Sequence, residues 1–77
     1  MKSSLYLLND DIHSFDDVVS MCRKYLSYPL SQGMSIANIV HTTGKSRIYK
    51  GDSLVVSELY EIFKESGFKV KIQEEDE

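Results

Sequence analysis

At 77 residues the chain has room for one domain, in which about 60% of the unfolded surface can be buried, so a thin core is expected and a large internal cleft is not. It is 42% hydrophobic and 27% charged, which excludes the low-hydrophobicity class of disordered chains, and a net charge of −3 gives no basis for a nucleic-acid-binding face. The single cysteine, Cys22, excludes an internal disulfide and a cysteine-based zinc cluster, as expected of a chain kept in a reducing cytoplasm.

In chain order, Ser4 to Leu8 reads as a short buried strand that ends at the turn-forming run Asn9-Asp10-Asp11. Its four consecutive apolar residues, Leu5 to Leu8, are too few for a signal-peptide core or a membrane span. Ser14 with Asp17 three positions on has capping-box spacing, and Phe15, Val18, Val19, Cys22, Tyr25 and Leu26 follow at helical intervals until Tyr28-Pro29. Ser31 is the expected cap of a second helix with Leu30, Met34, Ala37, Val40 and His41 on its stripe and Gly44 at its end. Because Ile36 and Ile39 widen that stripe, this helix is expected to lie between other elements.

Ser46 to Tyr49 reads as a second strand, and Lys50-Gly51-Asp52 as a turn into a third helix capped by Asp52 or Ser53, with Val55, Leu59, Ile62 and Phe63 facing inwards. Gly67 closes it, and Phe68-Lys69-Val70-Lys71-Ile72 alternates as a half-exposed third strand does. Of the twelve acidic residues four form the tail Glu74-Glu75-Asp76-Glu77, leaving eight against nine Lys and Arg in a nearly neutral body. Residues 1–73 are thus expected to form the single domain and 74–77 a disordered acidic tail. The order β-α-α-β-α-β implies an α+β fold, a small two-layer sandwich in which three helices cover a three-stranded antiparallel or mixed sheet.

Two polar features exceed what these elements need. Asn9-Asp10-Asp11 holds more hydrogen-bonding side chains than an Asx-turn requires, and His41 stands in the last turn of a helix, where a histidine commonly serves only to offset the dipole. Taken together, Asn9-Asp10-Asp11 and Val40-His41-Thr42-Thr43-Gly44, at matching separation and with Asp16, Val18, Val19, Tyr25, Leu26, Ser27 and Tyr28 between them, resemble the ClpS family of Clp protease adaptors. That resemblance covers nearly half the chain.

The resemblance implies a non-catalytic adaptor that binds bulky hydrophobic residues at free protein N-termini and passes them to the N-terminal domain of a Clp AAA+ ATPase. Asn9, Asp10, Asp11 and His41 are then the amine-binding residues. The chemistry fits, since a protonated α-amine, with a reference pKa of about 7.7 to 8.0, presents three donors that all need acceptors once shielded from water. The resemblance places the side-chain socket between the first two helices, lined by Ile12, Phe15, Val18, Met21, Ala37 and Val40. Plain core packing is the simpler account of each lining residue, and Val18 and Val40 fit both accounts.

Three features depart from the family's pattern. His13-Ser14-Phe15 replaces a Thr-Pro-Met segment, Asp17 stands where the family has an aromatic, and Ala37 where it commonly has a larger apolar residue; an altered preference among bulky first residues is expected. For docking on the ATPase only Lys45, Glu58, Glu61 and Lys64 are candidates. The family generally carries a longer flexible extension, whereas Met1 stands almost at the first strand, so the expectation is either a trimmed chain or cargo delivery by a different route. The alternative class is a ribosome-associated interaction module, because the C-terminal domain of the large-subunit stalk protein resembles this architecture; it predicts a basic helical face that this sequence lacks. An enzyme would need a nucleophile paired with His41 and Asp10 or Asp11, and none is evident. A metal site from His13, His41 and the two aspartates would need a convergence that spacing does not supply. No cofactor, metal, nucleic acid or membrane is expected.

Overall fold

The computed structural model describes residues 1–10 and 12–75. Strand β1 (Lys2–Leu8) is followed by helices α1 (Phe15–Leu26) and α2 (Leu30–Thr43), strand β2 (Lys45–Asp52), helix α3 (Ser53–Glu65) and strand β3 (Lys69–Glu75). The sheet order is β2-β1-β3 with both pairings antiparallel, as the α+β reading expects. Among the described residues no helix is long and apolar enough to cross a membrane.

One core joins the layers. Leu5 and Leu7 of the central strand, Ile48 of β2 and Phe68 are buried with Val18, Val19 and Cys22 of α1, Ile36, Ala37 and Val40 of α2, and Val56, Leu59 and Phe63 of α3. Ile48 reaches this core at a register shift opposite Leu5 and Tyr6, the added twist of a bulge turning its side chain inwards. The first two helices pack closely at Gly33, where a Cβ would stand 3.3 Å from a Val19 methyl.

Ser14 caps α1 as its spacing predicts: its hydroxyl accepts from the Asp17 N–H, and the Asp17 carboxylate accepts from the Ser14 N–H at 2.9 Å. Elsewhere the structure corrects the sequence reading. The N-cap of α2 is Pro29, not Ser31, and no side chain bonds there; proline's fixed φ and the lack of an N–H suit it to a helix entrance. Instead of lying wholly between other elements, α2 leaves Leu30, Met34 and Ile39 exposed. Lys50 and Gly51 continue β2 rather than forming a turn, and Asp52 caps α3 directly through its carboxylate and the Leu54 N–H. On α3 Val56, not Val55, reaches the core; Val55 is exposed and Ile62 only half-buried.

The third strand also runs further than expected. Glu74 and Glu75 pair with Ser3 and Lys2, so these two residues of the expected acidic tail belong to the sheet. The buried Ser4 hydroxyl explains why, since it donates to the Glu75 carboxylate at 2.5 Å and would otherwise be unpaired. Asp76 and Glu77 lie outside the described residues.

Candidate functional site

The sheet register brings the two polar motifs together. Leu8, the last residue of β1, pairs with Lys45, the first of β2, so the turn that leaves β1 lies beside the end of α2. The Asn9 N–H donates to the Gly44 carbonyl at 2.8 Å, and the Gly44 N–H donates to Val40 at 2.9 Å. Gly44 caps α2 at φ 94°, a left-handed conformation that glycine adopts without steric cost. His41 therefore stands within one helical turn of the residue that anchors Asn9. Both residues are exposed, and their side-chain acceptors face solvent at one end of the sheet.

Phe15, the first residue of α1, closes this end from the other side. Its half-buried ring stacks on His41 with centroids 5.8 Å apart and planes 15° from parallel. Beneath, Val18, Ala37 and Val40 are 3%, 0% and 1% exposed, so they form a closed core floor and not an open wall. Ile12 is 82% exposed.

Asp10 is turned inwards. Its Oδ1 accepts from the Ile12 N–H at 2.8 Å and the His13 N–H at 2.7 Å, and its Oδ2 accepts from the His13 ring Nδ1 at 2.9 Å. The carboxylate is 4% exposed. Burial acts to raise its pKa, but the hydrogen bonds from the His13 main chain, the His13 ring and the Ile12 main chain prevail and hold it below its ordinary value. Asp11, the other candidate carboxylate, lies outside the described residues.

Phe68 carries no role in the sequence reading of the socket, and His13 only a place in the segment expected at its rim, yet the fold brings the two together. The His13 ring lies flat on Phe68, centroids 3.8 Å apart and planes 17° from parallel, and Phe68 in turn meets the edge of Phe63. These two rings and Met21 wall a hollow of about 330 Å³ between α1 and the connection from α3 to β3, rimmed by Asp17, Ser20 and Lys24. Of the expected socket residues, Met21 lines this hollow. The signal was faint in the sequence: His13 follows Asp10 at the spacing of a side-chain cap, and Phe68 read only as the first residue of a strand.

Among the described residues no three His, Cys, Asp or Glu side chains gather where they would hold a metal ion. Cys22 is fully buried, and burial pushes its thiol up to about 11, which leaves it protonated and unsuited to nucleophilic attack at neutral pH.

Comparison with known proteins converges on one family. The family model for the ATP-dependent Clp protease adaptor protein ClpS matches residues 2–71. Among solved structures, Agrobacterium tumefaciens ClpS2 bound to L-phenylalaninamide superposes with a TM-score of 0.81 at 18% identity, covering 96% of each chain, and so supports the fold. No curated protein matches the chain.

Proposed function

The chain belongs to the ClpS family of ATP-dependent Clp protease adaptors, and on that premise we propose that it captures free protein N-termini beginning with a bulky hydrophobic residue and delivers them to a Clp ATPase. The observation that carries this reading is the Asn9–Gly44 hydrogen bond, which joins the polar turn to the His41 end of α2. The α-ammonium group donates to the Asn9 amide oxygen, to a His41 ring nitrogen and to a carboxylate of the Asn9-Asp10-Asp11 run. Asp10, whose oxygens are already engaged by Ile12 and His13, shapes the turn and adds negative potential. An acetylated N-terminus lacks two of the donors and the charge.

The first side chain enters the hollow walled by His13, Met21 and Phe68. Burying a leucine or phenylalanine side chain there supplies about 1.5–3 kcal/mol, and the charge-assisted hydrogen bonds to the amine a similar amount, so a ligand that offers only one binds weakly. The relative bound to L-phenylalaninamide, which has a free amine and a benzyl side chain, meets both demands. Catalysis forms no part of this role, and the cytoplasm is where such an adaptor meets its ATPase. Lys45, Glu58, Glu61 and Lys64, all exposed, are the proposed contacts for ATPase docking.

Calorimetric titration with a peptide beginning in Phe tests the reading. Asn9→Ala and His41→Ala are expected to weaken binding about tenfold each, as loss of a hydrogen bond to a charged group does, with thermal unfolding little changed. Unaltered affinity in both variants would refute it.

A further inference from the structure

The proposed socket does not end at the first residue. Ser20 and Lys24 rim both the hollow walled by Met21 and Phe68 and a second, shallower one of about 570 Å³ that continues along α1 to Arg23, Ser27 and Tyr28. The two share a border and form one surface channel along the exposed side of the helix. Its charge changes along its length. At the socket end stands Asp17, whose carboxylate is engaged by the Ser14 N–H. At the far end stands Arg23, and Lys24 lies where the two hollows meet; both are exposed, among the described residues neither has a carboxylate within ion-pair distance, and the Lys24 ammonium lies 5.2 Å from the centre of the Tyr25 ring.

Offsetting the dipole of α1 accounts for cations in its last turn, but not for their place on the rim of a channel that starts at the socket. From Met21 to Ser27 the helix rises about 9 Å, a span that three extended residues cover. Resting on the capture reading, we infer that this channel holds the second to fourth residues of the captured chain and selects for acidic side chains there through Arg23 and Lys24. The surface would then read a short N-terminal sequence and not a single residue.

The test uses four free-amine peptides that begin with Phe: a neutral Ser-Gly sequence, the same with Glu at positions three and four, with Lys at three and four, and with Glu at eight and nine. Glu at three and four is expected to tighten binding about threefold over the neutral peptide, a gain typical of exposed ion pairs, and Lys there to weaken it. The gain should vanish in 1 M salt and fall in the Arg23→Ala variant, whose affinity for the neutral peptide should be unchanged. Equal affinity of the Glu and neutral peptides, an equal gain from Glu at eight and nine, or a gain undiminished in the Arg23→Ala variant would each overturn the inference. Failure of every Phe peptide to bind would overturn the capture reading, and this inference with it.

Discussion

The main-chain N–H of Asn9 donates to the carbonyl of Gly44 over 2.8 Å, which fastens the turn after β1 to the end of the helix that carries His41. Thirty-five positions separate the two in sequence, and the Leu8–Lys45 strand pairing makes them neighbours. Gly44 sits at φ 94° with nothing within 4 Å of where a Cβ would be, so substitution there meets backbone strain and no clash. Gly44→Ala is expected to destabilise the fold by about 1 kcal/mol and Gly44→Asn by less, because asparagine tolerates the left-handed region. Urea denaturation measures the order; alanine as stable as glycine would contradict it.

Asp10 gives the turn a dependence on pH. Its carboxyl is held below its ordinary value because hydrogen bonds from His13 and Ile12 outweigh the opposing effect of burial. A carboxyl with a depressed folded-state pKa stabilises the fold at pH values above its ordinary range and loses that contribution as pH falls through the folded value. Asp10→Ala, which also leaves the His13 and Ile12 donors without their partner, should cost about 2 kcal/mol at neutral pH and narrow its gap to the unaltered protein below about pH 4. Paired denaturation curves from pH 3 to 7 report this.

The Phe15–His41 stack places a rigid ring over the closed floor to which Ala37 belongs. Phe15→Met exchanges that ring for a flexible chain of similar volume and should shift preference towards the largest first residues, raising affinity for Trp over Leu by about fivefold. Competition among peptides that differ only in residue one measures the shift, and an unchanged ranking would contradict it.

Cys22 is a built-in probe of unfolding. Fully buried, with its thiol pushed up to about 11, it should react with a thiol reagent at neutral pH only as fast as the chain opens. A pKa raised by folding stabilises below the unfolded value and is lost as pH rises through the folded one, so stability should decline between about pH 9 and 11 and decline less in Cys22→Ala. Labelling at the rate of a free thiol in folding buffer would contradict this burial.

What the sequence disclosed followed the strength of its local signals. Ser14 and Asp17 mark the start of α1 because a capping box is written entirely in neighbouring residues, and the fold order followed from three amphipathic stripes and three short strands. The stripe of α3 was ambiguous, since Val55 and Val56 both fall at helical spacing from Leu59, and only packing on the sheet selects Val56. Likewise Glu75 looks like tail until the buried Ser4 hydroxyl shows what it accepts. At the candidate site, the motifs pointed to Asn9 and His41, whereas the inward turn of Asp10 goes with His13 lying flat on Phe68, a contact across 55 positions that no local pattern announces.

The most direct measurement of the central claim is fluorescence anisotropy with three labelled peptides identical beyond their first residue: one beginning with free Leu, the same peptide N-acetylated, and one beginning with free Ser. Capture through an amine site beside an apolar socket predicts saturable binding of the first and at least tenfold weaker binding of the other two, because each lacks one of the two required features. Equal binding of all three would contradict it.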